Sequence, residues 1–304
     1  MTQTRQTTIG KRISLQGVGL HSGRFTSMTL IPAGAYQGIV FVRSDITRGN
    51  KIIPARWDRV VDTRLCTAIG NEDGMTIGTI EHLMSALCGC GVDNVIIEID
   101  GPEVPVMDGS AIPFVEAIEE AGIKALAAPR RAIKVLREVS VEQEGKRASL
   151  KPALGSIYGG EIEFDHAEIG HQTFKTQLLN GNFRHDIAQA RTFGFLHEVE
   201  YLRAQGLALG GSMDNAIVLG GDKIMNPEGL RFTDEFIRHK LLDAIGDLYL
   251  AGAPIIGEYH GVKAGHALNN ALLHALFESE DNWVWAETRD ASATKGEEDM
   301  LLVA

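Results

Sequence analysis

Residues 232–248 read FTDEFIRHKLLDAIGDL, and this stretch decides how the rest of the chain is understood. Phe236, Ile237, Leu241, Leu242, Ala244, Ile245 and Leu248 recur at helical spacing, which predicts an amphipathic helix with Thr233 as its N-cap. His239, Asp243 and Asp247 follow one another at intervals of four, so they form a row along one face, with Lys240 beside it. An imidazole and a carboxylate at i and i+4 can grip one divalent metal, and a carboxylate one turn further on can support it or relay a proton. A solvated helix face carries the same residue types, and a lone His-x-x-x-Asp is common, so the decision rests on the remainder of the chain.

Working outward, TIEHLMSAL (79–87) predicts a second helix, with Thr79 as N-cap and Gly89 near its end. Glu81 and His82 are adjacent there and diverge by about 100° on a helix, so both can border one site without stacking on each other. An acidic residue is also favoured in a first helical turn for electrostatic reasons alone. Downstream, a strand at 255–259 leads into Gly265-His266 and a closing helix to about Glu278, followed by a polar tail from Thr288 expected to fray.

Strand-like runs fill both halves: 25–31, 38–43 and 92–99 in the first, then 133–141, 147–151, 161–164, 173–178, 216–219 and 223–225. Hairpin turns are expected at Glu144-Gly145 and Gly220-Gly221-Asp222. Further helices are predicted at 114–121, closed by Gly122, and at 197–205. ALAAPRR (125–131) is the best linker candidate, after which the pattern restarts. The expectation is an α+β protein of two layered domains, 1–127 and 132–304, with the site in the cleft between them.

Composition narrows the function. The chain has 304 residues, 44% hydrophobic and 23% charged, which is globular. A net charge of −11 argues against a general nucleic-acid binder, although a few placed cations can still hold an anionic substrate. The N-terminal stretch lacks an apolar signal region, and nothing is long enough to span a membrane, so a cytoplasmic location is expected. Cys66, Cys88 and Cys90 lack the spacing of a zinc or redox pair and read as buried thiols. GVGLHSG (17–23) places glycines around His21 in a tight loop that matches no phosphate-binding pattern.

A hydrolytic zinc site needs three protein ligands, an open position, a base for the attacking water and an acid for the leaving group. His82, His239 and Asp243 supply the ligands and Glu81 the base. His266 is the candidate acid, with Asp247 as the partner that keeps it protonated.

At these residues the sequence resembles the UDP-3-O-acyl-N-acetylglucosamine deacetylase family of lipid A biosynthesis. The matching stretches are GVGLHSG (17–23), DTRLCT (62–67), TIEHLMSAL (79–87), PVMDGSA (105–111), ARTFGF (190–195), GLALGGS (206–212), EGLRFTDEFIRHKLLDAIGDL (228–248) and GHALNN (265–270). They run in family order over nearly the whole chain. The resemblance implies helices packed between two sheets and a zinc amidase, with iron as an alternative metal. It implies cleavage of the N-acetyl group from a UDP-linked acylated amino sugar. Residue by residue it assigns the metal to His82, His239 and Asp243, the base to Glu81 and the acid to His266. It gives Thr192 a part in polarising the scissile carbonyl, where a plain β-branched strand residue is the simpler alternative. Lys240 and Lys263 match lysines near the phosphates and uridine, and Phe164 an aromatic that stacks on uracil, although a buried strand Phe looks the same.

The insert from Val199 to Ala216 matches the acyl passage, which Ala208, Gly210, Gly211, Ser212 and Ala216 would keep open by their small size. A packed satellite core reads similarly. Ala208 stands where many relatives carry Cys, and Arg64 where some carry Met, which touches the lining of the passage and not the chemistry. His21 and Asp108 take supporting roles. The competing readings are a zinc hydrolase of another amide, such as a peptidase, and a non-catalytic sugar-nucleotide or lipid-binding module. The second has no use for Glu81 beside a ligand or for His266 with Asp247.

Overall fold

Side-chain alternation writes the sheets. Along Phe25–Pro32, Thr26, Met28 and Leu30 are buried while Phe25 and Ser27 are exposed, the period of two that lets one face meet a core. The computed structural model describes residues 4–179 and 181–287; the tail from Thr288 lies outside the described residues. A five-stranded sheet runs in the order 13–18, 25–32, 95–99, 39–43, 52–54. Its middle strand, Val95–Ile99, pairs antiparallel with Phe25–Pro32 and parallel with Ile39–Arg43. This strand starts three residues later than its β-rich sequence suggests. Gly91 closes the preceding helix in the left-handed conformation (φ 70°), and the Val92 N–H bonds back to the Leu87 carbonyl, so those residues are spent on the turn.

While Phe193–Phe195, Ile217–Gly220 and Lys223–Ile224 form a separate three-stranded sheet, a seven-stranded sheet lies wholly within residues 131–287, with Ile255–Val262 at its branch point. That strand pairs with Lys146–Lys151, Ser156–Glu163 and Arg131–Val135. Val139–Gln143 and Lys146–Lys151 form the expected hairpin across Glu144 and Gly145, both with positive φ (52° and 73°), the signature of a two-residue turn matched to strand twist. The presumed linker is not a linker. Ile123–Pro129 is a strand paired antiparallel with Arg5–Ile9, and Arg131 already begins the next strand. Its alanines and proline read as a spacer because an edge strand with one partner needs little side-chain mass.

Six helices occur among the described residues: α1 Glu81–Cys90, α2 Ile112–Ala121, α3 Phe183–Asp186, α4 Leu196–Ala204, α5 Glu235–Tyr249 and α6 His266–Phe277. Two expected caps fail. Thr79 lies outside α1, whose N-cap is Ile80, and α5 is preceded by Asp234 rather than Thr233, with no side-chain cap at either. α5 is also not amphipathic in the usual sense: every residue except Arg238 and Lys240 is buried. Its polar row faces a protein interior instead of water.

One buried cluster joins Met28, Leu30, Phe41 and Ile97 of the five-stranded sheet to Leu83, Leu87, Leu242, Ile245 and Leu272 of α1, α5 and α6. The same cluster extends to Ile133, Leu150 and Tyr259 of the seven-stranded sheet. α1 packs directly on α5. At their closest point a Cβ on Gly246 would overlap the Glu81 carbonyl, so only glycine permits this approach. The mixed α+β class holds, with several sheets rather than two alone.

Candidate active site

The site begins where the chain enters α1. Thr79 has φ 55°, a left-handed conformation that costs a β-branched residue roughly 1–3 kcal/mol. Its hydroxyl donates to Glu103 Oε1 at 2.7 Å, and Glu103 also accepts from the backbone N–H groups of His21 (2.9 Å) and Ser22 (2.8 Å). This turn delivers Glu81 and His82 side by side in the first turn of α1, both buried. α5 brings His239 and Asp243 against them.

His82, His239 and Asp243 each offer a ligand atom, all within 4.8 Å of one another. Asp243 Oδ1 lies 3.6 Å from His82 Nε2 and 3.4 Å from His239 Nε2, and the two imidazoles meet edge to face. The Nδ1–H of His239 donates to the Ala190 carbonyl at 3.1 Å, which leaves the Nε2 lone pair free to ligate. Burial pushes the His239 imidazole down to about 3, so it is neutral, as a ligand must be. Burial alone would raise Asp243, but His239 and Lys240 beside it hold it well below the usual carboxylate range. Lys240 Nζ donates to Asp243 Oδ2 at 3.0 Å. Two imidazoles and one carboxylate in a buried pocket are the donor set of a catalytic zinc site, so these residues fit such an ion.

Glu81 and His266 flank the triad. Glu81 Oε2 accepts the Thr67 N–H at 3.0 Å, and Oε1 lies 3.9 Å from His266 Nε2. Burial raises Glu81 to about 7 against the pull of His266 and His82, within reach of a general base at neutral pH. His266 opens α6 after Gly265, and its Nδ1–H donates to Asp247 Oδ2 at 2.8 Å. Burial alone would lower His266; Asp247 overrules it, with Glu81 and Asp243 behind, and raises it to about 10. Asp247 is held in turn by the Thr67 hydroxyl at 2.5 Å and Asn269 Nδ2 at 2.9 Å. Thr67, Asn269, Ala190 and Glu103 escaped the sequence reading. Three of them lie inside DTRLCT, GHALNN and ARTFGF, but their hydroxyl, amide and carbonyl carry no pattern of their own.

The other expected residues sit further out. Thr192 is half-buried, its N–H bonded to the Gly109 carbonyl and its carbonyl to the Ile217 N–H. Phe164 packs with Phe193 and Phe195, and Phe193 reaches the His239 ring at 6.3 Å, a link not anticipated. Lys263 pairs with Glu163 at 2.6 Å near the surface. In the insert, Val199 of α4 and Ala216 are half-buried, Ala208 is buried at φ 52°, and Ser212 is exposed. Leu209 and Gly210 bond through their N–H groups to the His21 and Leu20 carbonyls, so the insert docks on the glycine-rich loop. Asp108 pairs with Arg231 at 2.9 Å and caps Ser110, which explains its place in PVMDGSA. Both His21 ring nitrogens are buried with no partner among the described residues.

Comparisons with known proteins give the chain its relatives. The family model described as UDP-3-O-acyl N-acetylglycosamine deacetylase matches residues 6–278. A protein of Phenylobacterium zucineum named UDP-3-O-acyl-N-acetylglucosamine deacetylase is 52% identical over 267 residues, covering 88% of this chain and 91% of the relative. Proteins of the same name from Shewanella baltica and Shewanella sp. MR-4 are 49% identical over 280 residues, covering 91% of each chain. With its buried His–His–Asp group, flanking glutamate and histidine, and a match over most of its length, the chain belongs to the UDP-3-O-acyl-N-acetylglucosamine deacetylase family.

Proposed function

We propose that the chain removes the N-acetyl group from UDP-3-O-acyl-N-acetylglucosamine at the centre built from His82, His239 and Asp243, releasing acetate and the free amine of the lipid A precursor. The observation that carries this reading is the buried ligand triad with a raised Glu81 on one side and a raised His266 on the other. Zinc, or iron in its place, would be held by those three residues, and when bound it supplies Lewis-acid polarisation of the amide carbonyl and eases ionisation of water. Glu81 takes the proton of the attacking water as its oxygen joins the acetyl carbon. The C–N bond then breaks, and the sugar nitrogen takes its proton from His266. Asp247 holds His266 protonated and oriented until that moment. Thr192 donates to the carbonyl oxygen as negative charge develops there.

Lys240, Lys263 and Phe164 bind the diphosphate and uracil. Among the described residues Lys263 pairs with Glu163 near the surface, a contact of small net value, so exchange for a phosphate costs little. The acyl chain runs along Val199, Ala208, Gly211, Ser212 and Ala216. Helices packed between the two large sheets, in domains 1–127 and 132–304, suit this reading. The five-stranded sheet uses only residues 13–54 and 95–99, and the seven-stranded sheet only residues after 130. No described helix is long and apolar enough to cross a membrane, and a cytoplasmic location follows from the nature of the substrate. The test is metal content and deacetylase activity measured on one purified sample, with an N-acetylated peptide as the competing substrate. Stoichiometric metal with sugar-nucleotide turnover supports the reading; turnover of the peptide alone defeats it.

A further inference from the structure

We propose that the buried ion pair between Arg191 and Glu235 is a positioning element for the metal ligand His239, acting through the Ala190 carbonyl. The inference rests on the metal reading above. It starts from a difference between the two imidazoles of the triad. The His239 Nδ1–H is answered by Ala190, whereas His82 Nδ1 is buried with no partner among the described residues. The carbonyl that fixes His239 is presented by residues 190–192, which belong to neither helix nor strand. Main-chain bonds from Ala190 N–H to the Ile187 carbonyl and from Thr192 N–H to the Gly109 carbonyl hold the two ends of this segment, and Arg191 between them ties it to α5.

The tie to α5 is dense. The backbone N–H and the Nε of Arg191 both donate to Glu235 Oε1, at 3.0 and 2.9 Å. Its Nη2 reaches Glu235 Oε2 at 3.3 Å and the Gly229 carbonyl at 2.7 Å, and Nη1 reaches Glu228 at 2.7 Å. Glu235 is fully buried, and its Oε2 also accepts the Arg231 N–H at 2.5 Å. Glu235 stands four residues before His239 on α5, so both lie on one helix face. The segment 190–191 is therefore bonded to that face at two successive residues: Arg191 to Glu235, and Ala190 to His239. Breaking the first rung loosens the second. An imidazole without its outer hydrogen bond loses its fixed tautomer and orientation, and outer partners of this kind typically change metal affinity by 10- to ~100-fold. A buried pair with one member neutralised is costly in itself, so stability alone cannot be the readout.

The experiment measures the rate of zinc release from the metal-loaded protein into a chromophoric chelator, alongside the nitrogen-15 signals of His239 in the metal-free protein. Glu235→Gln keeps the shape and removes the charge; Arg191→Lys keeps the charge and removes the fork. Both are expected to release zinc about 10- to ~100-fold faster and to show a mixture of His239 tautomers in place of the Nδ1–H form. Glu228→Gln, at the exposed end of the same guanidinium, is expected to stay within about twofold of the parent. Arg43→Lys, in the remote pair with Asp45, controls for general destabilisation. If Glu235→Gln does not fold, Arg191→Lys decides. A parent protein that holds no zinc sinks the metal reading itself. A parent that holds zinc, with Arg191→Lys releasing it no faster than Arg43→Lys and keeping the His239 tautomer, overturns the positioning role.

Discussion

Two regions of this protein are built by opposite means. At the junction of α1 and α5, side chains hold side chains: buried Asp243 answers His82, His239 and the half-buried Lys240, and buried Asp247 answers Asn269, Thr67 and the half-buried His266. Across the insert from Val199 to Ala216, side chains hold main chain. Arg203 donates to the carbonyls of Ala208 and Gly211, and Asn215 clamps the Gly210 carbonyl and the Ser212 N–H. The first region is a fixed arrangement of charges; the second is a shape with small residues on it. Substitutions in the first should change chemistry, and in the second should change which substrate fits.

The harshest way to break that contrast is to remove a ligand. His82→Ala, His239→Ala or Asp243→Ala should each lower bound zinc and abolish deacetylation, measured as metal per protein and acetate released, because three protein ligands are the minimum for such a site. Full zinc in all three variants would relocate the centre. Next in size is Glu81→Ala, which should keep its zinc and lose 10²- to ~10⁴-fold in turnover, the usual worth of an acid–base group. Loss of zinc instead would make Glu81 a ligand.

A subtler change sharpens the comparison. Asp247→Asn removes one charge and nearly keeps the shape: its amide nitrogen can face Thr67 while its oxygen still accepts from His266 and Asn269. Asp247 raises His266, so the protonated acid persists to about pH 10 and is lost above it. Without that charge the basic limb of the pH profile should move to lower pH, with zinc content unchanged. Ionisation of the attacking water adds a limb of its own and the two titrations couple, which is why the shift between proteins matters and not the position of either limb. An unmoved limb would mean that Asp247 only orients the ring. The smallest effect belongs to the insert. Ser212→Trp, at an exposed position, should leave zinc and a short-acyl analogue within about twofold while slowing the long-acyl substrate roughly tenfold, the scale of a misfit in an apolar pocket. Equal losses on both substrates would remove the insert from the acyl path.

The same contrast explains what the sequence disclosed. His239, Asp243 and Asp247 were legible because helical spacing alone puts them in a row, and His82 with Glu81 because they open a second helix. Thr67 was not, since a threonine hydroxyl bridging Asp247 and, through its N–H, Glu81 depends on a loop that no periodicity describes. Thr79 and Thr233 misled as caps because a threonine before an apolar run has other uses; Thr79 bonds Glu103 instead. The strand at 123–129 was hidden because its partner, Arg5–Ile9, lies more than a hundred residues away, and pairing at that distance leaves no local mark.

Gly246 has a consequence for the spacing of the three candidate ligands. His82 travels with α1, while His239 and Asp243 travel with α5, so the width of the ligand triangle is the distance between two helices. That distance is set where Gly246 meets the Glu81 carbonyl. A methyl group at 246 would act as a shim, prising α5 from α1 and opening the triangle on one side. Zinc wants bonds of about 2.0–2.1 Å to nitrogen, whereas larger ions such as calcium sit at 2.3–2.6 Å from their oxygen ligands. The absence of a side chain at one position thus acts as the gauge for how near His82 can come to His239 and Asp243, and a zinc ion bound by all three would need that closeness.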